Sequence, residues 1–203
     1  LEVQVSDEDR QWSEQYLSAH GLSDTPLLVG IVPAGGVSWG IDAPFRRWSL
    51  EGFAAVADAL IERHGARILL FGGAADAPIC QQMTRLMKHP VLDVSGQTTL
   101  GQFISLLSRL SLVVCNDGGP LHLAVSQRVK TVSIFGPVDP VVYGPYPSQS
   151  RNHRVVYRQD LPCRPCYHQF KLPPCPYERA CLTTLSPEEV LGACEELCAE
   201  ARA

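Results

Sequence analysis

The chain has 203 residues, 45% of them hydrophobic, so it is long enough to bury a core within one large domain. Its formal net charge is -4 and its 17 lysines and arginines are scattered, which argues against nucleic acid as the main partner. No apolar run approaches the roughly 20 residues that span a bilayer, and no signal segment opens the chain. Because Leu1 is not an initiator methionine, we expect a part of a longer protein or a processed product.

Hydrophobic periodicity predicts strands that alternate with helices. Leu1–Val5 alternates apolar and polar residues as a short strand does, and Ser6 then caps a helix that runs to about His20. Five buried strands are predicted at 27–32, 67–71, 91–94, 112–115 and 131–135. The helices that follow the first four of them are predicted to begin at Ser49, Asp76, Thr99 and Pro120.

The segment after the fifth strand differs in kind. Prolines crowd 138–147, and 154–158 is predicted to add a short strand. A cysteine-containing segment follows. Ser186-Pro187-Glu188-Glu189 then supplies a cap, a proline at the first helical position and a reciprocal glutamate, which predicts a final helix from Val190 to about Ala201.

Five alternations of strand and helix with short connections predict a Rossmann-like α/β domain, a parallel sheet with helices on both faces. With the strand order 3-2-1-4-5, the winding reverses between the first and fourth strands. Those strands end in Pro33–Gly36 and in Asn116–Gly119. Both glycine turns are therefore expected to open on one cleft at the carboxyl edge of the sheet, where such folds bind ligands.

The turn over residues 116–122 has the features of an anion site. Gly118 and Gly119 allow a sharp turn and the close approach of a ligand to the backbone, and Pro120 suits a first helical position. The N–H groups that follow, together with the helix dipole, can bind a phosphate; these belong to Leu121, His122 and Leu123. Asp117 would repel a phosphate, so we expect it to cap the helix or to bind hydroxyls or an amine. The alternative is a strand-to-helix turn without a ligand.

Two common nucleotide-binding motifs are absent from the chain. The first turn lacks G-x-G-x-x-G, which disfavours a nicotinamide or flavin dehydrogenase, and no G-x-x-x-x-G-K-[ST] loop is present. These absences favour a domain that binds phosphates through backbone N–H groups and a few cations.

Five short segments carry a resemblance to a known family. They are Pro33-Ala-Gly35, Arg46-Arg-Trp48, Gly72-Gly-Ala-Ala-Asp76, Asn116-Asp-Gly-Gly-Pro-Leu-His122 and Phe135-Gly-Pro137. Together they resemble the carboxyl-terminal half of the heptosyltransferases of glycosyltransferase family 9, which have a two-domain GT-B fold. The match covers nearly the whole chain, and its most specific piece is the N-D-G-G-P-L-H turn after the fourth strand.

The resemblance implies that this domain binds the nucleotide-sugar donor, usually ADP-heptose, whose diphosphate becomes the leaving group of an inverting transfer. An amino-terminal domain would hold the acceptor lipid sugar and supply the base, so we expect no catalytic residue in this chain and no transfer by it alone. The donor and phosphate contacts that the resemblance implies are Gly35, Gly36, Arg46, Arg47, Asp76, Asp117, Gly118, Gly119, Pro120, Leu121 and His122.

The chain departs from the family pattern at three of these places. Pro33–Gly36 stands where the family commonly has Pro-Gly-Ala-Ser, and Arg46 replaces a lysine, which keeps the charge but changes its geometry. Asp76 replaces a glutamate that reaches the ribose hydroxyls, so base and sugar preference stay open. The alternatives are a solvated pair for Arg46 and Arg47, a helix cap for Asp76 and structural packing for His122.

Four cysteines lie within 19 residues of one another. Cys163 and Cys166 form a C-x-x-C pair, and Cys175 and Cys181 follow in a proline-rich stretch. Four thiolates could bind a structural zinc ion or an iron-sulfur cluster, although transfer in the resembling family requires no metal. The alternative is an apolar loop with buried free thiols.

We therefore expect the donor-binding half of a glycosyltransferase that builds lipopolysaccharide core or a related envelope glycan. The predicted units are an interdomain strand and helix at 1–26, a nucleotide-sugar-binding domain at 27–150 and a cysteine-containing extension at 151–203. The expected partners are a nucleotide-sugar donor and an acceptor glycolipid bound through an amino-terminal domain. The expected location is the cytoplasm, with a peripheral position at the inner membrane as an option. The alternative function is a non-catalytic nucleotide-binding or metal-stabilised interaction module.

Overall fold

The structure is a computed structural model that describes residues 2–35, 40–148, 150–168 and 171–199. In these ranges six strands form one sheet of order β3-β2-β1-β4-β5-β6, and every neighbouring pair is parallel. The strands are β1 (Leu28–Val32), β2 (Arg67–Leu70), β3 (Leu92–Asp93), β4 (Leu112–Asn116), β5 (Lys130–Ile134) and β6 (His153–Val156). The Rossmann-like fold is confirmed, and the first five strands have the order 3-2-1-4-5 that was assumed for them.

Eight α-helices lie in the described ranges. They are α1 (Asp7–Ala19), α2 (Leu50–His64), α3 (Ala77–Leu86), α4 (Leu100–Leu107), α5 (Gly119–Ser126), α6 (Pro140–Tyr143), α7 (Ala180–Thr183) and α8 (Pro187–Ala199). Short 3₁₀ turns at Gly40–Arg46 and Ala74–Asp76 precede α2 and α3. No helix among the described residues is long and apolar enough to cross a membrane.

The sheet separates two apolar clusters, so both of its faces are buried. Helices α2, α3 and α8 pack on one face, with Phe53 and Met83 in its core. Helices α1, α4 and α5 pack on the other, with Leu106 and Leu121 in its core. A sheet covered on both faces needs strands that are apolar on both sides, and β1 and β4 are buried throughout.

Local capping signals set the helix starts as the sequence predicts. The Ser49 hydroxyl accepts a hydrogen bond from the N–H of Gly52, and Thr99 and Gln102 form the predicted reciprocal box. At the start of α8, Ser186 and Glu189 make the same pair of contacts. These helices begin where the cap residues stand because the capping bonds satisfy N–H groups that the helix leaves free.

Several predicted details are wrong. Residues 2–6 have no regular structure instead of the expected strand, because Val3 O accepts a hydrogen bond from Gln127 Nε2 rather than from a neighbouring strand. The third strand is shortened to two residues at the sheet edge. By helical spacing Leu86 and Leu100 belong to the apolar faces of α3 and α4, but they are 41% and 66% exposed. The added strand, β6, begins at His153 rather than Arg154, because Thr131 pairs with His153.

Candidate functional site

The carboxyl ends of β1 and β4 lie side by side and are tied together by Asn116. Val32 pairs with Cys115, so the two glycine turns leave the sheet at neighbouring points. The Asn116 side chain donates from Nδ2 to Pro33 O at 2.7 Å and accepts from the backbone N–H of Trp48 at 2.9 Å. This one buried amide therefore connects β4, the turn after β1 and the segment that carries both arginines.

Arg46 lies between the two turns and is only 3% exposed. Its Nη2 donates to the carbonyl oxygen of Asp117 and lies 3.5 Å from that of Gly35. Its Nε is 3.6 Å from Asp117 Oδ1. The structure thus brings the predicted residues Gly35, Arg46 and Asp117 into direct contact.

Asp117 is 4% exposed, and its backbone N–H donates to Ile134 O at the end of β5. Burial raises the pKa of its carboxyl group to about 6, while the Arg46 guanidinium acts to lower it. Oδ1 accepts no hydrogen bond from any residue in the described ranges. The group is therefore a buried carboxylate at neutral pH, with one buried oxygen that accepts no hydrogen bond from the described residues and lies 3.6 Å from Arg46 Nε.

The two glycines of the turn before α5 have different roles. Gly118 has a φ of 141°, which L side chains rarely adopt, and a Cβ there would clash with Arg46 Nη2. Gly119 is the first residue of α5, and a Cβ there would meet nothing within 4 Å among the described residues. Gly118 is thus required by packing, whereas Gly119 borders open space.

The helix N-terminus differs in part from the prediction. α5 begins at Gly119, one residue before the predicted Pro120, and the N–H of Leu121 is used in a bond to Gly118 O at 3.1 Å. The Leu121 side chain lies in the core. His122 is half-buried, and burial lowers its pKa, so the imidazole is neutral at pH 7. Leu121 therefore contributes neither a free N–H nor a side chain to a ligand, and His122 contributes no charge.

Arg47 and Asp76 form a second pair beside the first. Arg47 Nε donates to Ala34 O at 2.6 Å, and its Nη2 lies 4.0 Å from Asp76 Oδ1. Asp76 Oδ2 accepts from the N–H of Gly73 at 3.2 Å, so the carboxylate closes the 3₁₀ turn, whereas it makes no cap hydrogen bond to α3, the helix that the alternative prediction had it cap. Its Oδ1 accepts no hydrogen bond from the described residues, although Asp76 is only 6% exposed.

Asp76 faces a cavity of about 270 Å³ at the same edge of the sheet. The cavity is lined by Val32, Gly72, Gly73, Asp76, Thr98, Thr99, Leu100, Phe103 and Pro120. Sequence reasoning missed the contribution of Thr98 and of the first turn of α4, where only a capping box was predicted. The position of α4 in the fold could have indicated this contribution, because α4 starts at the same edge of the sheet at which the glycine turns lie. Gly36 lies outside the described residues.

The four clustered cysteines do not form a ready metal site. No group of three or more His, Cys, Asp or Glu within the parts of the chain that the structure describes is placed to hold a metal ion. Burial raises the pKa of Cys181 to about 11 and also raises that of Cys166. Metal binding needs thiolates, so the zinc or iron-sulfur site stays a prediction. Metal analysis of protein purified without added metal tests it: less than about a tenth of an equivalent would exclude it.

The fold and the site together define a class, a Rossmann-like α/β domain whose candidate ligand site is built from glycine turns at the switch point of the sheet. The sequence matches the family model of glycosyltransferase family 9 (heptosyltransferase) over residues 2–173. The chain therefore belongs to glycosyltransferase family 9.

Individual relatives agree with the family model. Lipooligosaccharide heptosyltransferase 2 of Campylobacter jejuni is 31% identical over 181 residues, which are 87% of this chain and 52% of that protein. The crystal structure of a family 9 glycosyl transferase from Veillonella parvula superposes with a TM-score of 0.80 at 31% identity, covering 98% of this chain and 54% of that one.

ADP-heptose lipopolysaccharide heptosyltransferase II of E. coli shares the fold with a TM-score of 0.75 at 24% identity, covering 100% of this chain and 54% of that one. The chain thus spans about half the length of the relatives it matches.

Proposed function

We propose that this chain is the donor-binding half of an inverting glycosyltransferase of lipopolysaccharide core or related envelope glycan synthesis, with ADP-heptose as the donor. The observation that carries the proposal is the Gly118–Gly119 turn, which opens on space that the described residues leave unfilled at the switch point of the sheet, next to the cavity at Asp76. Family membership supplies the reaction class, and the name of the E. coli relative supports the choice of donor.

The diphosphate is assigned to the open space at Gly119. The positive end of α5 points there, Pro120 has no N–H that would be left without a partner, and the missing side chain of Gly119 lets an anion approach the backbone. Charge that develops on the departing nucleoside diphosphate would be stabilised at this point. One such backbone donor is typically worth about 3 kcal/mol in a transition state.

The nucleoside is assigned to the cavity at Asp76. Its volume of about 270 Å³ and its mixed lining suit a base held by apolar groups such as Phe103 and Leu100. The Oδ1 atom of Asp76 has no hydrogen-bond donor among the described residues, and a ribose diol would supply one. The sugar is assigned to the side of Asp117, whose buried Oδ1 likewise accepts no hydrogen bond from the described residues.

Nucleotide titration tests the proposal. We expect ADP to bind the chain, detected by calorimetry, and to raise its melting temperature. A ligand at 100 times its Kd stabilises a fold by about 2.7 kcal/mol, which for a domain of this size is a rise of roughly 5–10 °C. UDP and GDP should bind more weakly if the cavity selects adenine.

The variant Asp76→Ala supplies the site-specific readout. It should weaken ADP binding about tenfold, because a charged hydrogen-bond acceptor for the ribose is lost. The exposed Asp24→Ala is the matched control and should bind as the wild type does. If none of the three nucleotides shifts the melting temperature, the donor-site proposal is wrong.

A further inference from the structure

Arg46 is directed into the protein by three contacts. Its Nη2 donates to Asp117 O and lies 3.5 Å from Gly35 O, and its Nε lies 3.6 Å from Asp117 Oδ1. The side chain is almost fully buried. The guanidinium N–H groups of Arg46 donate to backbone carbonyls of both turns, so these N–H groups point away from the open space at Gly119.

The backbone of the second turn is packed directly on this guanidinium. A Cβ at Gly118 would clash with Arg46 Nη2 and would lie 3.3 Å from Gly35 O. Arg46 therefore fills the volume beneath the turn that precedes α5. The position of the Arg46 guanidinium therefore fixes the distance between the Gly118 backbone and the first glycine turn.

Arg46 also balances a buried charge. The Asp117 carboxylate lies one residue before the turn to which we assign the diphosphate, and two anions close together in a region of low dielectric repel strongly. Arg47, the neighbouring residue with the same chemistry, is directed differently. It lies 4.0 Å from Asp76 at the cavity and is more exposed than Arg46.

We propose that Arg46 is a positioning residue of the donor site, which fixes the Gly118 turn and neutralises Asp117 without itself contacting the donor diphosphate. The proposal rests on the proposed function of the chain, and it assigns the charged side-chain contact with the diphosphate to Arg47. A positioning residue and a direct phosphate ligand at position 46 differ in one measurable property, which is how the loss of ADP affinity on replacing the arginine depends on pH.

Other titratable groups that interact with Asp117 do not carry charge near neutral pH. Burial raises the pKa of Cys115, on the same strand, to about 12, and it raises that of Tyr167 above its ordinary value. Residues 36–39 contain no titratable side chain. Arg46 is thus the charged side chain that lowers the pKa of Asp117 against the effect of burial. Without it, the carboxyl group would ionise only at a higher pH, and it would then stand unbalanced beside the diphosphate.

The experiment is a calorimetric titration with ADP from pH 6 to pH 9 on the wild type, Arg46→Met, Arg46→Met with Asp117→Asn, and Arg47→Met. Comparing variants with one nucleotide cancels the titration of ADP itself. For Arg46→Met, we expect the loss of affinity relative to the wild type to grow about 30-fold between pH 6 and pH 9. Adding Asp117→Asn should remove that growth. Arg47→Met, the matched control, should lose the same factor at every pH.

A loss for Arg46→Met that is equal at every pH, or that Asp117→Asn does not flatten, overturns the proposal, because a direct phosphate contact behaves in that way. If Arg46→Met does not fold, the crystal structure of the wild type with ADP decides. Arg46 should still donate to Asp117 O, and a hydrogen bond from Arg46 to a phosphate oxygen would refute the assignment. If the wild type binds none of ADP, UDP and GDP, the proposed function itself fails and this inference falls with it.

Discussion

At the scale of single residues, the site depends on which atom each polar side chain contacts, and neighbours in sequence have different tasks. Arg46 is buried between the turns, whereas Arg47 reaches Ala34 O and the edge of the cavity. Gly118 and Gly119 differ in the same way. The two members of each pair are chemically identical in the sequence, and only their packing in the fold gives them different roles.

The two glycines give the first residue-scale prediction. Gly118→Ala should lower the free energy of unfolding by about 3 kcal/mol, because its φ of 141° is strained for a side chain and the methyl group clashes with Arg46. Gly119→Ala should change it by less than about 0.5 kcal/mol but should weaken ADP binding, since its methyl enters the space assigned to the diphosphate. Urea denaturation and calorimetry measure the two effects. Equal destabilisation by both would contradict this division.

Asp117 gives a pH-dependent prediction. Its pKa is about 6 in the folded protein and 3.8 in the reference state, so burial penalises the ionised form. The stability of the wild type relative to Asp117→Asn should therefore fall as pH rises from about 4 to about 6 and stay level above that. The full change is on the order of 3 kcal/mol. Urea unfolding of both proteins at several pH values measures it, and a difference that rises with pH would refute the assignment.

At the scale of elements, capping and periodicity identify the helices, while pairing decides the strands. The reciprocal bonds of Thr99 with Gln102 and of Ser186 with Glu189 involve residues three positions apart, so the sequence predicts them correctly. β3 and β6 were predicted with wrong bounds because a strand extends only as far as its neighbour pairs with it.

The cap of α8 supports an element-scale prediction. Ser186→Ala removes the hydroxyl that accepts from the N–H of Glu189 and should cost about 1 kcal/mol of unfolding free energy. Ser186→Thr keeps a hydroxyl and is the control. Because α8 packs on α2 and β6 and contributes no residue to the lining of the cavity at Asp76, ADP affinity should not change. A loss of affinity in Ser186→Ala would show that this helix is coupled to the donor site.

At the scale of the whole molecule, the chain supplies one Rossmann-like domain of a family, and the relatives described above are about twice as long. We propose that the acceptor site and the general base belong to the other half of such a protein. A donor site bounded by one domain also leaves its sugar side open to water, which disfavours transfer.

This division gives a whole-molecule prediction. The 203-residue chain should bind ADP without transferring heptose from ADP-heptose to an acceptor glycolipid, whatever the protein concentration. A radiolabelled transfer assay with a full-length family member as the positive control measures it. Turnover by this chain, abolished by Gly118→Ala, would contradict the division of labour.

The sequence alone determines the alternation of strands and helices, the capped helix starts and the N-D-G-G-P-L-H turn, because these depend on residues close together in the chain. The order of the first five strands, in contrast, was assumed from the Rossmann pattern, and only the strand pairing decides it, because right-handed crossovers also allow the order 2-1-3-4-5. The tertiary structure decides what the side chains of the site contact. Arg46 meets Asp117 across 71 positions and Asn116 meets Pro33 across 83, and no local pattern records such contacts. For that reason the sequence identifies Arg46 only as a cation, whereas its burial between two turns makes it a positioning residue.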